Sequence, residues 1–150
     1  MDTSQDANPA QIPTPGMAEH LGMIQGIINR MAANSFQIKG WTVTLLAALG
    51  ATGVASQYSI IFLLGYLPLI IFWGLDGYFL RQEKIYRAVY ERVRGRATID
   101  FDMKPQDEDR KNTSGTDVIF SKTLFPFYGS LLTLYATLFL IFHFSQNTCA

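Results

Sequence analysis

Hydrophobic and polar positions divide the chain into three regimes that recur in order. Leu21, Ile24, Ile28, Met31 and Ile38 recur at three- and four-residue steps with Glu19, Gln25, Asn29 and Arg30 between them, which predicts an amphipathic helix over residues 17–38. Continuous apolar segments follow, GWTVTLLAALGATGVAS from Gly40 to Ser56 and SIIFLLGYLPLIIFWGL from Ser59 to Leu75. No proline separates the amphipathic run from the first apolar segment, so one long helix with a bend at Gly40 is expected. Beyond Asp76 the chain is amphipathic again: Leu80, Ile85, Tyr86, Val89, Tyr90 and Val93 alternate with charged residues as the second apolar helix continues. Pro68 is expected to kink that helix.

The remaining segments are of other kinds. Residues 1–16 (MDTSQDANPAQIPTPG) are polar and Pro-containing, which predicts a disordered arm. Residues 97–122 read as a polar loop, with a weak alternation over Ala97–Met103 that suggests one short strand. A third apolar run, TLFPFYGSLLTLYATLFLIFHF, covers 123–144 and leaves the tail 145–150. The reading is an all-α membrane protein with three transmembrane helices. Two of them, about 40–56 and 59–76, extend within a helical hairpin (17–96) as a cytoplasmic antiparallel stalk.

Charge placement turns this layout into a topology. The chain is neutral overall, but no charged residue lies between Lys39 and Asp76 and none follows Lys122. The 36 uncharged residues between the two can cross a roughly 30 Å hydrocarbon layer twice. Arg30 and Lys39 precede the first span, and the other ten of the 12 basic residues lie between Arg81 and Lys122. Basic residues stay on the cytoplasmic side. The expectation is a multi-pass protein of the inner (cytoplasmic) membrane, with a cytoplasmic N-terminus and central segment and an external C-terminus. The first 16 residues lack the basic start and apolar run of a secretory signal.

Candidate chemistry is sparse. Folding the hairpin about Gln57 brings level residues whose numbers sum to about 115. Lys39 then faces Asp76, Arg30 approaches Glu83, and Glu19 approaches Arg94 and Arg96. These pairs are either structural or, at Asp76, a site for handling a proton or cation. A polar patch of Arg30, Asn34 and Ser35 reads as a solvated stalk face or a place for a ligand or headgroup. Ala47, Ala51 and Ala55 form one row of small residues on the first span, and Thr44, Ala48, Thr52 and Ser56 the next. Gly129, Thr133 and Thr137 form a third, on the last helix. Small rows let helices approach closely in lipid, either in packing within the protein or, as expected here, in homo-oligomer contacts. The lone Cys149 has no partner for a disulfide, and neither His20 nor His143 has metal-ligand spacing. No phosphate loop, nucleophile elbow or zinc-protease motif is present. Neither enzyme activity, cofactor, metal nor nucleic acid is expected.

The layout, with NRMAANSFQIKGW (29–41) and WGLDGYFLRQEKIYRAVYERVR (73–94), resembles small bacterial inner-membrane proteins, some of which are oligomeric or act as effectors in antiviral defence loci. That resemblance assigns no residue a role. The function expected first is a non-enzymatic oligomer, a pore-forming or membrane-perturbing effector. Its cytoplasmic stalk and loop would receive a protein or small-molecule signal. The alternative is an anchor or scaffold subunit for a cytoplasmic partner.

Overall fold

A computed structural model describes residues 15–56, 58–96, 100–111 and 113–148, and these are all-helical. The expected arm up to residue 14, the turn residue Gln57, the start of the expected strand (97–99) and Cys149 lie outside the described residues. Helix α1 runs unbroken over Pro15–Ser56, followed by α2 (Ile60–Leu64) and α3 (Tyr66–Arg94). Two short helices, α4 (Asp107–Lys111) and α5 (Gly115–Ile119), precede α6 (Leu124–Thr148). Three helices are long and apolar enough to cross a membrane: 16–56, 60–94 (α2 with α3) and 124–145.

Pro15 opens α1, where its missing N–H costs nothing and its fixed φ suits the first turn. Gly40 introduces no break. At 42 residues the helix is about 63 Å long, twice the thickness of a hydrocarbon layer. It pairs antiparallel with α3. At one end Leu21, Ile24 and Ile28 close on Val89 and Val93, with Tyr86, Tyr90 and Met103 around them. At the other, Leu46, Phe62, Leu69, Leu124, Tyr128 and Tyr135 join α1, α2, α3 and α6 in a second core.

The kink expected at Pro68 lies one turn earlier. The helix is interrupted at Gly65, between α2 and α3, because the Pro68 ring collides with the carbonyl four residues back, at Leu64. Pro68 itself sits in the first turn of α3. Gly65 also faces α6. A Cβ there would lie 2.8 Å from Tyr135 Cδ1 and closer still to Cε1. Gly53 admits the Phe62 ring in the same way, since a Cβ would stand 2.8 Å from its Cζ. Two glycines thus set how near the hairpin helices and α6 stand.

The segment between α3 and α6 is more ordered than a polar loop. No strand forms at 100–103; the chain there is held by side-chain turns instead. Asp100 Oδ1 accepts from the Asp102 N–H at 3.1 Å, and Asp102 Oδ1 accepts from the Lys104 N–H at 3.0 Å. The segment then descends along α3, tied at three levels. Arg92 grips Asp109 through three hydrogen bonds of 3.0–3.2 Å and donates to the Lys104 carbonyl at 3.2 Å. Arg81 donates to the Thr113 carbonyl at 3.1 Å, and Trp73 Nε1 to the Ile119 carbonyl at 3.2 Å. Paired-residue chemistry on α3 therefore converts the polar stretch into a strap.

Gly65→Ala should lower the thermal unfolding temperature, at a cost of about 1–3 kcal/mol, because a methyl there overlaps the Tyr135 ring, whose hydroxyl is bonded to the Leu46 carbonyl. Gly74→Ala is the matched control, since a methyl there meets nothing within 4 Å. Equal melting of the two variants by circular dichroism would show that α6 does not seat on Gly65.

Candidate functional site

Asp76 is fully buried within α3, where the apolar part of the helix gives way to its charged part. Its carboxylate collects donors from two other helices. From α1, Lys39 Nζ lies 2.5 Å from Oδ2, and the Ser35 hydroxyl donates to Oδ1. From α6, the Tyr128 hydroxyl stands 3.1 Å from Oδ2 and 3.3 Å from the Phe72 carbonyl. Lys39 also donates to Ser35 Oγ at 2.9 Å, which closes a ring of bonds among Lys39, Ser35 and Asp76. Trp73 lies parallel to the Tyr128 ring with centroids 5.8 Å apart, and Thr42 turns its hydroxyl to the Ile38 carbonyl at 2.8 Å. The one carboxylate in the apolar part of the bundle thus joins all three long helices.

The local sequence explains the convergence. Ser35 and Lys39 are one turn apart on α1 and share a face. Asp76 stands among buried positions of α3 that include Leu69 and Gly77. Tyr128 follows Leu124 by one turn on the face of α6 that packs on α3. Burial of a carboxylate is tolerated where a full set of donors meets it.

The other expected ion pairs are not formed. Glu83 is taken by Arg87, one turn along its own helix, at 2.7 Å. Arg30 is exposed. It follows Ile28 by two residues, about 200° round the helix from a core position, so equal depth does not give a shared face. Glu19 likewise misses its partners: Arg94 pairs with Glu91 at 2.8 Å, and Arg96 with Asp100 at 2.5 Å. Asp100 is held below the usual carboxylate range, first by the Asp102 backbone N–H and further by Arg96, with burial acting the other way. Ser35, read with Arg30 and Asn34 as a stalk surface, is instead buried in the knot. Tyr128 carries no signal in the sequence beyond being a polar-tipped aromatic near the start of an apolar helix, a type that seeks a partner when buried.

The small rows lie outside this packing. Thr44, Ala47, Ala48, Ala51, Thr52 and Ala55 are all exposed, whereas Thr42, Leu46 and Gly53 are the buried residues of the same stretch. The threonines bond their own helix, Thr44 to the Gly40 carbonyl at 3.0 Å and Thr52 to that of Ala48 at 2.9 Å. On α6 Gly129 is half-buried and Thr133 exposed, its hydroxyl on the Gly129 carbonyl at 3.0 Å. Among the described residues no group of His, Cys, Asp and Glu is disposed to hold a metal ion.

Lys39→Met should cost about 3–5 kcal/mol, because it strands a charge in a dry site. The double variant Lys39→Met/Asp76→Asn should be milder than Lys39→Met alone. Unfolding of wild type, both single variants and the double gives the coupling. Additive effects would mean that water, not Lys39, balances the carboxylate.

No protein-family model, curated protein or solved structure matches the chain, so the knot at Asp76 and the exposed face of α1 stand as the features that carry a functional reading.

Proposed function

We propose that the protein is a three-span inner-membrane protein that self-associates through α1 and acts without catalysis, as a membrane-perturbing effector governed by its cytoplasmic stalk. The observation that carries this reading is the exposure of Thr44, Ala48 and Thr52, a row of small residues on α1 that no other helix of the protein covers. Small side chains in lipid favour close helix contact, and hydroxyls already bonded within the helix add no desolvation cost to it. Exposed Leu63, Leu64, Leu67, Ile70 and Ile71 on the second span, with Leu134, Leu140 and Ile141 on the third, suit a lipid surroundings. Phe36, 80% exposed, with Trp41, Tyr78 and Phe120, places aromatic rings near the level of Asp76 where a headgroup layer would lie. The strap leaves α4 and α5 on the same side as the basic residues, where a partner or signal would meet the stalk.

Reporter fusions test the topology. A reporter after Ala150 should be external and one inserted near Asn112 cytoplasmic; finding both on one side would remove a span.

Assembly is tested by mass in a mild detergent and by dye release from vesicles. Wild type should be oligomeric, and Ala48→Leu should dissociate it while it still partitions to membranes. A monomeric wild type that releases no dye would favour the anchor or scaffold reading instead.

A further inference from the structure

Helix α6 packs on α2 and α3 but stands off from α1, and a groove of about 270 Å³ opens between them. From α1 it is walled by Val43, Ala47, Ala51 and Val54, and from α6 by Leu134 and Leu138. Tyr135 bridges its floor, with the hydroxyl donated to the Leu46 carbonyl, so the lining offers no unpaired polar group.

The groove's dimensions select its occupant. Val43 and Val54 are about 16 Å apart along the helix, which gives a mean cross-section of about 17 Å². A helix with its side chains is about 10–12 Å across, roughly five times that section. A single extended hydrocarbon chain can lie within the groove, whereas a second transmembrane helix could only rest across its rim. One end of the groove is also not apolar. Ser35, Lys39, Val43, Gly50 and Val54 fall on one stripe of α1, so the line of the groove leads to Lys39. Two of the three ammonium N–H groups serve Asp76 and Ser35, and the side chain keeps 20% exposure. A donor therefore remains at the mouth, at the depth of the exposed aromatics.

We propose that the groove between α1 and α6 binds one acyl chain of a bilayer phospholipid, whose phosphate accepts a hydrogen bond from Lys39. This rests on the membrane reading given above. It also separates the two small rows of α1: Ala47 and Ala51 keep the groove open, while Thr44, Ala48 and Thr52 face away from it. A bound chain completes the packing between α1 and α6 that the protein itself leaves unfilled, and the phosphate ties that chain to the Asp76 knot.

The test begins with carbonate-washed membranes, because a protein released by the wash would overturn the membrane reading rather than this one. Detergent-solubilised protein is then titrated with phosphatidylglycerol of a single chain composition and observed by native mass spectrometry. Wild type should retain one lipid per protomer. Ala51→Leu should weaken retention about tenfold by filling the groove, with unfolding temperature unchanged. Ala48→Leu should retain lipid as wild type does. Diacylglycerol of the same chains should be held about tenfold less well than the phospholipid, for want of the phosphate. The proposal is overturned if wild type retains no lipid or if Ala51→Leu retains as much as wild type. Loss of lipid together with the oligomer in Ala48→Leu would overturn it too, since a second copy would then close the groove. Equal retention of diacylglycerol would remove Lys39 from the site.

Discussion

A carboxylate buried beside apolar helices is tolerable only if several donors meet it, and Asp76 imposes that demand on every long helix of this protein. Lys39 neutralises it, while Ser35 and Tyr128 occupy further lone pairs. Each donor constrains one rigid body. Satisfying Lys39 and Ser35 fixes the axial register of α1 against α3, because sliding either helix by one turn, about 5.4 Å, breaks both bonds. Satisfying Tyr128 fixes the height of α6. Apolar contacts elsewhere in the bundle are far less selective, because they are non-directional and one aliphatic side chain can replace another. Directional bonds to one charge therefore specify the arrangement that the apolar surface only permits.

The same knot divides α1 into two parts with different physics. On one side, Leu21, Ile24 and Ile28 pack on Val89 and Val93 within a pair of helices whose outer positions are charged. There, removal of apolar area from water drives association. On the other side, large aliphatic residues are exposed and the close contacts pair glycine with aromatic rings, Gly53 of α1 with Phe62 of α2 and Gly65 with Tyr135 of α6. In a bilayer, as proposed above, close fit would replace water exclusion as the source of cohesion there. Asp76 sits at the changeover, where neither mechanism holds the helices in register by itself.

This division also explains what could be read from the residues alone. The helices were legible because their periodicity and the charge-free run between Lys39 and Asp76 are long signals. Those two are the charges that border the run, so a hairpin turning near its middle brings them level. Arg30 with Glu83 and Glu19 with Arg94 satisfied the same depth rule and still do not pair, because depth ignores the angle round the helix. Glu83 and Arg94 instead find partners within a turn of themselves. Ser35 would have been found by adding the angular rule, since it lies one turn from Lys39 on the same face. Tyr128 was beyond either rule: its place depends on how α6 docks, and that depends on two distant glycines, Gly65 and Gly77, where α6 and its lead-in approach the second span. The interruption at Gly65 shows a similar limit. Proline's effect falls on the carbonyl four residues earlier, and the residue best able to absorb it takes the break.

The strap over α3 is the least periodic part of the chain and the most dependent on individual side chains. Arg92, Arg81 and Trp73 are spaced by 11 and 8 residues, so they meet the descending segment at intervals of about 16 and 12 Å. All three donate to backbone carbonyls, which any sequence would supply. What selects the path is Asp109, whose carboxylate is buried against Arg92 and also accepts from the Gln106 N–H at 2.8 Å. The lowest rung, Trp73 to Ile119, lies one residue from Phe72 and three from Asp76, and the Trp73 ring is parallel to that of Tyr128. Movement of the strap at its base would therefore be felt at the Tyr128 hydroxyl, and through it at the carboxylate that keeps the three helices in register. A partner that pulled α5 away from α3 would act directly on Trp73, which is bonded to Ile119 and stacked on Tyr128.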